Sequence, residues 1–146
     1  MSKKINRRTF IKTTVAAGGA AAMLPQTLFS AGPKKRVKIG FIGTGLRGQW
    51  MLWLAAKYPE VDIPAICDVD NGMIADALKI IKEGGKPEPH IYNNGEEDFL
   101  NMLDNEELDG VYIATPWEWH HPMAIAAMKS GKHVGTEVPA ALTVDE

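Results

Sequence analysis

Val37-Lys38-Ile39-Gly40-Phe41-Ile42-Gly43-Thr44-Gly45-Leu46-Arg47-Gly48 runs from an apolar segment straight into three closely spaced glycines. A short apolar run ending in glycines is the pattern of a buried parallel strand that enters a tight turn. Downstream, Met51, Leu54, Ala55 and Tyr58 fall at helical spacing over residues 46–58, and Pro59 follows. Residues 61–68 read as a second strand. Ile74, Ala77, Leu78 and Ile81 then mark one face of a helix over 71–83, with Asp70 placed to cap its start and Gly84 its end. After the Gly/Pro-rich loop 84–89 come a brief strand near Ile91-Tyr92 and a helix around 98–103. The alternation continues with a strand over 110–114, a helix over 122–129 with proline near its first turn and Gly131 as its stop, and a fifth strand over 133–136. Strand and helix alternating at this spacing predict a parallel sheet with right-handed crossovers and helices on both faces. Ligands of such sheets sit beyond the carboxyl ends of the strands. The glycine loop, Asp68, residues 115–121 and Glu137-Val138 all fall there.

In this setting each glycine has a distinct job. Gly43 makes the tight turn, Gly45 lets backbone approach a pyrophosphate, and Gly48 lets helix and strand pack closely. The helix N-terminus then offers unpaired N–H groups to an anion, with Leu46 and Arg47 on the rim and Arg47 placed to reach phosphate. Asp68 ends the second strand at the distance where a carboxylate accepts hydrogen bonds from the adenosine ribose. It would repel a 2′-phosphate, and no Arg or Lys follows until Lys79. The expected cofactor is NAD rather than NADP, and the expected fold is of Rossmann type.

The chain has 146 residues, 45% hydrophobic and 23% charged, which fits one globular domain. Its net charge of −2 is uneven: residues 1–31 carry five basic residues (Lys3, Lys4, Arg7, Arg8, Lys12) and no acidic one. Removing those five from the 16 basic residues leaves 11 against 18 acidic ones, a charge of −7. Such a segment has no electrostatic reason to bind nucleic acid or an anionic membrane. The only cysteine, Cys67, excludes an internal disulfide and suits a buried thiol better than a nucleophile. Arg7-Arg8-Thr9-Phe10-Ile11-Lys12, followed by an Ala/Gly-rich apolar stretch closed by Pro25, resembles a twin-arginine export signal. Residues 1–31 are therefore expected to be an address read by the twin-arginine machinery, with cleavage near Ser30-Ala31, and the destination to be the periplasm or another extracytoplasmic space. The stretch is too short and glycine-rich for a membrane span. Residues 32–146 form the expected nucleotide-binding domain. At the other end, Thr143 and Glu146 have capping-box spacing with no helix after them, so the chain is read as an N-terminal fragment. A homo-oligomer of the longer protein is left open.

Thr115-Pro116-Trp117-Glu118-Trp119-His120-His121 follows the fourth strand. Trp117 or Trp119 can stack on a nicotinamide or a sugar, or pack beneath the next helix. His120 can hydrogen-bond the cofactor or a sugar hydroxyl, while His121 points elsewhere. A metal site is not expected, because His90 and His133 lie in other elements and no cysteine or histidine stands at ligand spacing.

Residues 37–146 resemble the Gfo/Idh/MocA family, in which a Rossmann domain precedes a larger α/β substrate domain. The likeness rests on Ile113-Ala114-Thr115-Pro116, His120, the stretch Ala127-Met128-Lys129-Ser130-Gly131-Lys132-His133-Val134, and Glu137-Val138-Pro139. The family's usual tripeptide is Glu-Lys-Pro, with the lysine near the reacting carbon of the dehydrogenases. Valine at 138 can neither move a proton nor polarise a hydroxyl. Together with Gly45-Leu46-Arg47-Gly48-Gln49 and Pro116-Trp117-Glu118-Trp119-His120, Glu137-Val138 looks specifically like glycoside hydrolase family 109, whose type activity is α-N-acetylgalactosaminidase with a bound, recycled NAD. That resemblance implies that Leu46, Arg47, Asp68, Trp117, Glu118, Trp119, His120, Glu137 and Val138 line the NAD pocket. It also implies hydrolysis of a carbohydrate by transient C3 oxidation, elimination and water addition, without two flanking carboxylates. A sugar dehydrogenase or sugar–sugar oxidoreductase is the competing expectation, and a non-catalytic nucleotide-binding protein a third. The base and the substrate contacts are expected beyond residue 146, so no catalytic residue is named, and the fragment alone is expected to be inactive.

Overall fold

The computed structural model describes residues 36–145. The expected export signal, its cleavage point and the capping glutamate at 146 lie outside them. Ten elements follow one another: β1 (Val37–Ile42), α1 (Leu46–Ala56), β2 (Val61–Asp62), β3 (Ala65–Cys67), α2 (Asn71–Glu83), β4 (His90–Tyr92), α3 (Asp98–Asn105), β5 (Gly110–Ile113), α4 (Trp117–Lys129) and β6 (His133–Thr136). All strand pairs are parallel, in the order β4-β3-β1-β5-β6, with β2 also on β1. The chain builds outward from β1 to β4 and then returns across the sheet to β5. That reversal opens a crevice between the carboxyl ends of β1 and β5, the switch point where ligands of open α/β sheets bind.

Side chains alternate across the strands, which splits the core into two layers. Phe41 and Ile66 face Leu52 of α1 and Ile74, Ala77 and Ile81 of α2. Ile42 and Ile113 face Met102 and Leu103 of α3 and Met123 and Ala127 of α4. The α2 reading holds to the residue: Asp70 caps it by accepting from the Gly72 and Met73 amides.

The larger departures from the sequence expectation are three. The second strand, expected unbroken over 61–68, is split at Ile63-Pro64. Lys38 pairs with Asp62 but Phe41 with Ile66, so this strand holds one residue more than β1 between those pairs. Proline brings no N–H to the ladder, and the extra residue forms a bulge there. Helix α1 ends at Ala56 rather than Tyr58, because the Lys57 and Tyr58 amides donate to Leu54 and Ala55, tightening the last turn. Helix α4 starts at Trp117, five residues before the expected Pro122, and runs through that proline. Pro122 removes one bond to the Glu118 carbonyl, and both residues lie on the exposed side, where water can replace it.

Candidate functional site

The glycine loop is held rigidly from both sides. The Gly43 amide donates to Cys67 O (2.8 Å) and the Ala114 amide to Ile42 O (2.9 Å). Gly43 has φ +87°, and a Cβ there would stand 2.6 Å from Ala114 O. A Cβ on Gly48 would lie 2.1 Å from Gly43 O, so the first turn of α1 rests directly on the loop. Gly45 is the opposite case: a Cβ there would meet nothing within 4 Å. Nothing inside the domain requires glycine at 45, and the space beside it is open to a ligand.

An open cleft of about 250 Å³ begins at that space, lined by Gly43, Gly45, Asp68 and Trp119 among the expected residues, with Val69, Met73, Thr115 and Pro116 completing its walls. Asp68 Oδ2 accepts from the Thr44 amide (2.5 Å) and hydroxyl (3.0 Å), and Oδ1 from the Asp70 amide (2.9 Å). The carboxylate thus ties the end of β3 to the glycine loop, and a lone pair remains on Oδ1 for a further donor. Trp119 packs edge-on against Phe99 with ring centres 6.3 Å apart while still lining the cleft.

A second group stands on the other side of the loop. Arg47 Nε donates to Glu137 Oε1 (2.6 Å), its guanidinium lies 5.0 Å from the Trp50 ring, and the Tyr112 hydroxyl donates to the same Glu137 oxygen. Arg47, followed by Tyr112, holds the Glu137 carboxyl below the usual range. Burial, reinforced by Glu137, pushes the Tyr112 phenol up to about 12. By strand order Glu137 lies three strands from Asp68, on the order of 14 Å at ordinary sheet spacing. The expected residues therefore fall on two sides of the loop.

Leu46, Trp117 and Val138 are exposed (87%, 62% and 80%), as is Glu118. His120 is placed differently from the expected hydrogen bond to cofactor or sugar. It is 1% exposed, with Nε2 2.9 Å from Thr115 O and Nδ1 2.7 Å from Pro139 O. Both ring nitrogens face backbone carbonyls, so the side chain braces two stretches of the site wall and has no edge turned to the cleft.

Several residues that shape the site were given no role from sequence. Thr44, an unspecified position in the glycine pattern, is fully buried and carries the bonds to Asp68. Gln49 Nε2 donates to Thr44 O (3.0 Å). Asp98 is buried and accepts from Asn101 and then Asn94, which lowers its pKa and holds the loop whose Gly95 and Glu96 line the cleft. The Asn/Gly-rich segment before α3 was the available signal. Cys67 is buried, and desolvation pushes its thiol up to about 12, which removes it as a nucleophile. Among the described residues no group of three or more His, Cys, Asp or Glu side chains is arranged to hold a metal ion.

The cradle suits a dinucleotide. Helix α1 has no side-chain cap and no acidic residue in its first turn, so its N-terminal amides are left for an anion beside the open space at Gly45.

Comparison with known proteins agrees with this geometry. Residues 4–25 match the signal sequence of the twin-arginine translocation pathway. A glycosyl hydrolase family 109 protein of Saccharopolyspora erythraea is 41% identical over 99% of this chain and 36% of its own length. An alpha-N-acetylgalactosaminidase of Tannerella forsythia is 44% identical over 96% of this chain and 34% of its own. The chain thus spans about a third of the curated relatives it matches. Among solved structures, scyllo-inositol dehydrogenase from Lactobacillus casei, with bound NAD(H) and scyllo-inositol, superposes with a TM-score of 0.64 at 28% identity, over 76% of this chain and 30% of that one. Residues 37–146 match the oxidoreductase family with an NAD-binding Rossmann fold, and the chain belongs to that family, Gfo/Idh/MocA.

Proposed function

We propose that this chain is the NAD-binding part of an exported glycoside hydrolase acting on an α-N-acetylgalactosaminide or a related glycoside. The observation that carries the reading is Val138, exposed beside Glu137 where the family tripeptide has lysine. An alkyl side chain has no proton to exchange with a substrate hydroxyl, so ordinary alcohol dehydrogenation loses its usual acid–base group. The names of the similar glycosidases support the same choice.

When bound, NAD would supply the acceptor for a hydride from the sugar C3 and return it after elimination and water addition. The chain's own residues bind and orient. Gly45 and the amides opening α1 take the pyrophosphate, and Arg47 adds a charged contact to it. Asp68 accepts from the adenosine ribose and disfavours a 2′-phosphate. Trp119 and Met73 wall the cleft against water. Trp117, exposed at the start of α4, is placed to stack on a ring, while Leu46 and Val138 supply apolar surface at the rim. Glu118 lies on the exposed face of the same turn, and His120 acts from below by fixing the wall.

Export to the periplasm fits a cycle without net redox change, since a retained cofactor needs no exchange with a cytoplasmic pool. The solved inositol dehydrogenases favour a second reading, a sugar or polyol oxidoreductase. A chromogenic α-N-acetylgalactosaminide assayed with the longer protein separates them. Cleavage without net NADH supports the glycosidase; NADH accumulating without cleavage overturns it.

A further inference from the structure

Tyr112 lies in β5 directly opposite Gly135 of β6. A Cβ at 135 would stand 3.2 Å from the Tyr112 ring, tighter than ordinary contact, so glycine there lets the ring lie close over β6. On its other side the ring packs against Phe41, with centres 5.9 Å apart. Fixed in this way, its hydroxyl reaches Glu137 Oε1, the same oxygen that accepts from Arg47 Nε. Three separate pieces of chain, β5, the residue after β6 and the first turn of α1, thus converge on one oxygen atom.

Arg47 sits where helix physics argues against it. A cation in the first turn opposes the helix dipole, and no acidic residue in that turn offsets it. Its place is accounted for by an anion outside the helix, not by the helix. Glu137 holds the Nε edge of the guanidinium, and a second donor on the same oxygen fixes the carboxylate's direction and with it the direction of the guanidinium N–H groups left for another anion.

We propose that Tyr112 is a positioning residue that sets the Glu137 carboxylate and, through it, directs the remaining N–H groups of Arg47 at the pyrophosphate of the dinucleotide. The proposal rests on the NAD-binding reading above. Its reach is selective, because it concerns the anionic middle of the ligand and not the adenosine end held near Asp68.

The test is calorimetric binding of NAD, ADP and adenosine to the full chain carrying Tyr112→Phe, Glu137→Gln, Arg47→Met, or Tyr112→Phe with Arg47→Met. Tyr112→Phe keeps the ring and its packing, and is expected to raise the dissociation constants of NAD and ADP about tenfold while leaving adenosine within about twofold. Glu137→Gln is expected to share that pattern, and it carries the test if Tyr112→Phe does not fold. In the Arg47→Met background Tyr112→Phe is expected to be silent, the signature of a residue acting through another. Unchanged NAD affinity in Tyr112→Phe, equal weakening of all three ligands, or additivity with Arg47→Met overturns the proposal. Failure of the unsubstituted chain to bind NAD overturns the NAD-binding reading itself and is read before any variant.

Discussion

Gly48→Ala separates this structure from helix propensity in sign as well as size. In an exposed helix interior, replacing glycine by alanine stabilises by about 1 kcal/mol. Here the added Cβ would lie 2.1 Å from Gly43 O, roughly 1 Å inside any tolerable contact. The obstacle is backbone and has little freedom. The Gly43 amide is bonded to Cys67 O, and its Cα abuts Ala114 at φ +87°. Helix α1 must instead move off β1, away from the packing of Leu52 and Ala56. Overpacking against rigid neighbours costs about 3 kcal/mol, so the net expectation is destabilisation by about 2 kcal/mol. In a domain of this size that lowers Tm by roughly 8 °C. Gly45→Ala is the control: φ is −64° and the Cβ meets nothing within 4 Å, so stability should hold within about 0.5 kcal/mol. Its methyl projects into the space assigned to pyrophosphate, and NAD affinity should fall at least about tenfold. Urea unfolding and calorimetry on both variants make the check. A Gly48→Ala domain as stable as the parent, or a Gly45→Ala domain that binds NAD normally, refutes the reasoning.

Other outcomes follow from single contacts. Asp68→Asn removes the charge between Thr44 and the cleft, and should weaken NAD about tenfold while narrowing its advantage over NADP, as read by paired titrations. His120→Ala leaves the Thr115 and Pro139 carbonyls without their ring partner and opens a cavity; urea unfolding should show a loss of about 3 kcal/mol. Cys67 holds its proton more tightly folded than unfolded, its pKa being raised from 9.0 to about 12. Its contribution is therefore full below pH 9 and is lost as pH rises towards 12, so Cys67→Ala should flatten the alkaline limb of a stability–pH curve. The native thiol should also resist iodoacetamide at pH 8 and react on unfolding, which a mass measurement reads directly.

Much of the fold was legible because its signals are local. The strand into glycines, the period of Ile74, Ala77 and Ile81, the Asp70 cap and the Gly131 stop each lie within one or two turns of chain. The boundaries that moved depended on neighbours. Pro64 interrupts its strand where the pairing with β1 slips by one residue, and Pro122 is carried inside α4 because the bond it forfeits faces solvent. For the site, residue types and spacing pointed to the glycine loop and Asp68, and the family resemblance to Glu137, but side-chain direction was beyond them. His120 and Trp119 are neighbours of Trp117, yet helical geometry buries the first, half-buries the second and exposes the third.

The sequence by itself determined the order of strands and helices, the class of sheet and the kind of ligand, since glycine spacing and hydrophobic period are written in neighbouring residues. Tertiary structure alone decided that Arg47 meets a carboxylate 90 residues away, that Tyr112 supports that pair, and that Thr44 joins the loop to Asp68. Those contacts form where the sheet brings distant strand ends together. No pattern in neighbouring residues specifies which side chains will share one oxygen atom once the strands are paired.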